Sequence, residues 1–131
     1  MALRVPADVI PYARFLGVTL EEDERGTLCV LPFRDEIVGN SRLPAIHGGV
    51  VGSFIEMTAT LTLINDHQRD GDRIPRPIGF TFDYLRSAGP KKTFARAEVV
   101  KHGRRIMNVR VIAWQDDSAK PVAAGIGNFL L

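Results

Sequence analysis

Ile46-His47-Gly48-Gly49-Val50-Val51-Gly52-Ser53-Phe54-Ile55-Glu56-Met57-Thr58-Ala59-Thr60-Leu61-Thr62-Leu63-Ile64-Asn65 is the stretch that decides this fold. At helical period it is apolar almost all round, with Val50, Val51, Phe54, Ile55, Met57, Ala59, Leu61, Leu63 and Ile64. A helix of that kind is buried rather than laid on a surface. One narrow polar stripe survives: Gly49, Ser53, Glu56 and Thr60 stand at i, i+4, i+7 and i+11 and share a face. A lone carboxylate in a buried helix is costly unless something receives it, so Glu56 is expected to face a polar cavity.

The start of the same helix carries a second feature. His47-Gly48-Gly49 leaves the first backbone N–H groups uncrowded by side chains. Those groups have no partner within the helix, and with the helix dipole they favour an oxygen carrying negative charge. Gly48 and Glu56 are eight residues apart, which is roughly 12 Å of helical rise. They cannot serve one reacting carbon from a single helix. Two antiparallel copies of the helix in a dimer would bring Glu56 of one chain to Gly48 of the other.

Working outward, 131 residues fit a single domain spanning 1–131. The 45% hydrophobic and 24% charged content is that of an ordinary soluble protein. A net charge of +2 does not call for nucleic acid, and the basic residues are not interleaved with aromatic ones. The lone Cys29 cannot form an internal disulfide and reads as a small buried hydrophobe. A reducing compartment is allowed, and a cytoplasmic location is expected. No apolar run of signal-peptide length opens the chain. The central stretch is long enough to span a bilayer, but Glu56 and four hydroxyl residues along it argue against membrane insertion.

Ala7–Phe15 reads as a short helix, with Pro6 near its start and Gly17 just past its end. The stretches 16–21 and 27–33 read as a hairpin turning at 22–26, and 34–45 as irregular. After the long helix, Asp66–Pro77 reads as a loop. Ile78, Phe80, Phe82 and Tyr84 then alternate with polar or small residues. Further strands are expected over 93–101, 107–113 and 121–131. The pattern predicts an α+β fold in which an antiparallel sheet wraps a hydrophobic helix.

This architecture, with His47-Gly48-Gly49 and an acid nine positions after the histidine, resembles the hotdog-fold acyl-CoA thioesterases. The nearest branch is that of the phenylacetate-pathway, 4-hydroxybenzoyl-CoA thioesterase-like enzymes. Gly103-Arg104-Arg105 before a strand also resembles the family pattern. The resemblance implies a hotdog fold, hydrolysis of an acyl-CoA and assembly as a homodimer or homotetramer. It implies no cofactor beyond the coenzyme A of the substrate. It assigns Gly48 as the amide that polarises the thioester carbonyl, Glu56 as general base or nucleophile, and Asn40 as a group that positions substrate or water. The sequence departs from the pattern in three places. Asn40 lies seven residues before His47, one more than expected. The acid is Glu rather than Asp. Pro77 stands where some members carry a hydroxyl, with Thr81 further along.

The chemistry is sound apart from the family. Thioester hydrolysis needs charge held on the carbonyl oxygen, which a preorganised N–H provides. It also needs a water deprotonated, which a carboxylate in a semi-apolar cavity does well because such a setting raises its pKa. Gly49, Ser53, Thr60 and Thr81 are candidate lining residues. Val51, Ile55, Phe80 and Phe82 are a candidate acyl wall. Arg104 and Arg105 head a basic group, with Arg86, Lys91, Lys92 and Lys101, that could hold phosphates. Blander readings stand beside each of these. Glu56 could be a structural carboxylate across an interface, His47 a helix-start residue rather than a proton carrier, Gly48 and Gly49 close-packing glycines, Asn40 a turn residue, and the basic side chains a solvated face. The three histidines lack metal-ligand spacing. The competing functions are a non-catalytic acyl-CoA-binding or scaffold hotdog domain and, with less support, an acyl-thioester dehydratase or hydratase.

Overall fold

Pro11 divides the N-terminal segment. In the computed structural model, which describes residues 5–67 and 74–131, a single 3-10 turn over Ala7–Val9 precedes a separate helix α1 (Pro11–Leu16). Ile10 between them is extended, because the residue before a proline is pushed out of helical geometry. One helix over Ala7–Phe15 is therefore corrected to two pieces. Gly17 closes α1 with φ 76°, a left-handed conformation open to glycine.

The hairpin forms with a tighter turn than expected. Strands β1 (Thr19–Asp23) and β2 (Gly26–Leu31) leave only Glu24 and Arg25 between them. Arg96 fastens this end of the sheet: it bonds Asp23 at 2.6 Å and the Gly26 carbonyl at 3.3 Å. That guanidinium holds the Asp23 carboxyl below its ordinary pKa. The stretch expected to be irregular contains a two-stranded ribbon, β3 (Val38–Asn40) with β4 (Ala45–Ile46).

Helix α2 (Gly48–Thr62) runs on into a π-helical turn over Leu63–His67. Phe54, Ile55, Ala59 and Leu61 are fully buried in it. Its buried hydroxyl residues are satisfied from within. Thr58, Thr60 and Thr62 each donate to the carbonyl four residues back, at 2.8, 3.1 and 2.7 Å. The helical turn thus covers the start of the segment expected to be the loop Asp66–Pro77. Residues 68–73 of that loop lie outside the described residues, as does the start of the chain up to residue 4.

Strands β5 (Arg76–Tyr84), β6 (Thr93–His102), β7 (Ile106–Trp114) and β8 (Ala123–Leu130) complete one antiparallel sheet, ordered β1-β2-β6-β7-β8-β5. The last three strands form the expected meander. β5 follows the helix in sequence yet joins at the far edge, beside β8. The helix lies on one face, against Ala95, Met107, Val109, Val111, Ala113, Ala123 and Phe129. This is the hotdog arrangement.

Phe80 of β5 lies in a trough made by two glycines of β8. A Cβ at Gly127 would stand 2.2 Å from its ring, and one at Gly125 would stand 2.7 Å from the ring and 2.8 Å from Ile55. The atoms met at Gly127 include the ring's root, so the whole side chain has to move. Gly127→Ala is therefore expected to lower stability by about 1–3 kcal/mol. The check is the midpoint of denaturant unfolding; an unchanged midpoint would show that the trough relaxes freely.

Candidate active site

The first turn of α2 is held by its neighbours in an unusual degree of detail. His47 is the N-cap, and its Nδ1 accepts from the Gly49 N–H at 2.9 Å. An Nδ1 that accepts is unprotonated, so the ring is a cap in this state. The His47 carbonyl accepts from Val50 N–H at 3.0 Å and from Val51 N–H at 3.1 Å. The Gly48 carbonyl accepts from the Tyr84 hydroxyl at 2.9 Å. Gly48 N–H has no acceptor among the described residues. Gly48 lines a cavity of about 400 Å³ with Ala45, Ile46, Val51, Tyr84 and Arg86, among others.

Glu56 opens elsewhere. It is half-buried, and among the described residues its carboxylate has no hydrogen-bond or ion-pair partner. It lines a cavity of about 300 Å³ with Ser53 and Thr60, and with apolar walls from Ile10, Tyr12, Met57, Pro75 and Pro77. The polar stripe read from the sequence thus does face one cavity, apart from Gly49, which lies exposed at the helix start. Gly48 and Glu56 line separate cavities on the same helix.

The other candidates scatter. Asn40 Oδ1 accepts from Arg42 N–H at 3.0 Å and Leu43 N–H at 3.3 Å, closing its own loop as a turn residue does. Thr81 is exposed and paired with Ile126, on the sheet face opposite Phe80, Phe82 and the helix. Within one protomer it is not brought to Glu56. Of the expected acyl wall, Val51 lines the Gly48 cavity, whereas Ile55, Phe80 and Phe82 pack into the core.

Among the basic residues, Arg86 donates to the Pro121 carbonyl at 2.8 Å and Lys91 is paired with Asp116. Arg104 and Arg105 are exposed at the β6–β7 turn. Arg105 shares a cavity of about 400 Å³ with Arg76, Ile74, Leu130 and Leu131. Cys29 is fully buried, and burial pushes its thiol up to about 12, so it is inert as a nucleophile.

Sequence reasoning passed over Tyr12, Pro75 and Tyr84. Tyr84 had a signal: it is the one hydroxyl-bearing residue in the inward stripe Phe80, Phe82, Tyr84, placed where a polar partner was needed. Tyr12 and Pro75 had none, because their role comes from chain segments meeting across the fold.

A six-stranded antiparallel sheet around one long buried helix is a hotdog domain. The chain belongs to the acyl-CoA thioesterase family: the model of that family's N-terminal domain matches residues 40–130. Solved structures agree. A protein from Chromobacterium violaceum is 37% identical, with 95% of this chain and 85% of that one covered and a TM-score of 0.77. A Bacillus halodurans protein solved with CoA is 21% identical, with 91% and 76% covered and a TM-score of 0.80. A phenylacetic acid degradation-related protein from Ralstonia eutropha is 18% identical, with 93% and 90% covered and a TM-score of 0.81. These last two bear on the fold alone. No curated protein matches the sequence. Among the described residues no helix is long and apolar enough to cross a membrane, and no cluster of metal-ligating side chains occurs.

Proposed function

We propose that this protein hydrolyses an acyl-CoA to a free acid and coenzyme A, with each active site shared between two copies of the chain. The observation that carries this reading is the separation of its two chemical groups. Among the described residues the Gly48 N–H and the Glu56 carboxylate both lack partners, yet Gly48 and Glu56 line different cavities on one helix. A second copy, antiparallel to the first, supplies each cavity with what it lacks. Edge strand β5 supports such pairing. Its outer edge is unpaired among the described residues and nine residues long, and the strand carries Ile78 at 56% exposure. An open edge of that length is a template for a second strand.

The reaction then runs as follows. The thioester carbonyl oxygen takes a hydrogen bond from Gly48 N–H. Glu56 of the partner subunit removes a proton from water, and the oxygen of that water bonds to the carbonyl carbon. Charge builds on the carbonyl oxygen, where the amide and the helix terminus stabilise it. The carbon–sulfur bond then breaks, and the leaving thiolate takes the proton that the carboxylate removed from water, which gives coenzyme A and restores the carboxylate. Direct attack by the carboxylate, through a mixed anhydride that water opens, uses the same two groups. A hydratase built on a histidine base is disfavoured by His47, whose Nδ1 is engaged as the cap.

The test is complementation. Gly48→Pro and Glu56→Gln each disable one half of a site. If the site is shared, refolding the two inactive variants together restores activity, because each mixed dimer has one intact site. Random mixing predicts about a quarter of wild-type turnover. Release of the coenzyme A thiol across a panel of short, branched and aryl acyl-CoAs measures it. No recovery on mixing would place both groups in one chain's site. Acyl-CoA binding by a wild type that turns none over would establish the non-catalytic binding module.

A further inference from the structure

We infer that Tyr84 is a positioning residue for the Gly48 amide, an inference that rests on the thioesterase reading above. The two peptide units around Gly48 carry four hydrogen-bonding groups, and three are fixed. The His47 carbonyl is held by the N–H groups of Val50 and Val51. The Gly49 N–H is held by His47 Nδ1, and the Gly48 carbonyl by the Tyr84 hydroxyl. The fourth is the Gly48 N–H, the one left for substrate.

A glycine at that position is intrinsically loose. An amide stabilises a developing oxyanion only as well as its direction is fixed beforehand. Tyr84 adds to the helix's own bond on the Gly48 carbonyl a second tie, from outside the helix and on the side that the cap does not reach. It comes from the end of β5, which is itself anchored where Leu85 and Arg86 N–H both donate to the Val122 carbonyl, at 2.9 and 3.1 Å.

The space around the phenol is built for it. A Cβ at Gly48 would lie 3.6 Å from the Tyr84 ring, an ordinary contact, whereas one at Gly52 would lie 3.0 Å from the hydroxyl oxygen. The glycine at 52 therefore keeps room for the hydroxyl on the first turn of α2. That pair of contacts makes the inference testable without deleting the aromatic ring.

The experiment compares wild type, Tyr84→Phe, Gly52→Ala and the double variant on one acyl-CoA substrate, with thermal unfolding followed in parallel. Loss of one neutral hydrogen bond should lower kcat about three- to tenfold in Tyr84→Phe. KM should move by less than about twofold, because the interaction acts on the transition state. Gly52→Ala should show the same split in smaller measure, since a methyl 3.0 Å from the hydroxyl oxygen pushes it a few tenths of an ångström off the carbonyl. The double variant should be no slower than Tyr84→Phe alone, because phenylalanine leaves room for the methyl. An active wild type with unchanged kcat in Tyr84→Phe overturns the inference, as does a double variant in which the two losses multiply. A folded wild type that turns over no acyl-CoA in the panel overturns the thioesterase reading itself, and this inference with it.

Discussion

Glu56→Gln should lower acyl-CoA turnover by about 10²–10⁴-fold, the range set by removing a positioned proton acceptor. The fold should survive. The Glu56 side chain forms no hydrogen bond or ion pair among the described residues, and glutamine has the same shape and fits the same half-buried position. What glutamine cannot do is take a proton or attack a carbonyl, so the loss falls on kcat whichever of the two routes operates. KM should change little, since in either route the carboxylate acts at the reacting atoms rather than on the bulk of the substrate. Steady-state thiol release, with circular dichroism as the control for folding, measures both. Turnover within a few-fold of wild type would remove Glu56 from the chemistry. The structural-carboxylate reading makes a different forecast: Glu56→Gln would weaken dimerisation rather than kcat, and sedimentation at several concentrations would reveal it.

The helix and its polar stripe were legible in the sequence because they are local. Period 3.6 puts Ser53, Glu56 and Thr60 on one face whatever the rest of the chain does, and the structure has them lining one cavity. The meander was legible for the same reason, since period-2 alternation and short turns fix β6 to β8. Three things were not. Pro11 splits the N-terminal helix, a local signal outweighed in the reading by the apparent caps at Pro6 and Gly17. The placement of β5 at the far edge is decided by packing, where Phe80 finds the glycine trough of β8. The walls of the Glu56 cavity come from Ile10, Tyr12, Pro75 and Pro77, segments that meet only in three dimensions. The off-helix candidates that the family resemblance supplied lie apart from the helix site. Asn40 closes its own loop and Thr81 faces away from the helix, because one residue of register decides which face of a strand a side chain takes.

Gly48→Pro is expected to be folded and nearly inactive, with kcat reduced by about 10²–10³-fold, the usual cost of one oxyanion donor. Proline is normally a blunt probe, but position 48 suits it. It is the first residue of α2, where a missing N–H breaks no helical bond. The preceding residue must be extended, and His47 already is, at φ −57° and ψ 132°. A Cβ at 48 comes nearest to the Tyr84 ring, at an ordinary 3.6 Å. So proline replaces the amide hydrogen with a ring methylene, while the first turn of the helix loses no hydrogen bond of its own. Gly48→Ala is the control. It keeps the N–H and adds a methyl at the same distance, so its turnover should stay close to wild type. If alanine and proline lose activity equally, bulk rather than the amide is responsible, and Gly48 is a close-packing glycine. If proline alone loses it while unfolding stability holds, the loss arises at the amide nitrogen of residue 48, where the ring has taken the place of the proton. The oxygen it serves then has to be reached by a base that this helix, with Glu56 two turns further on, cannot supply from the same chain.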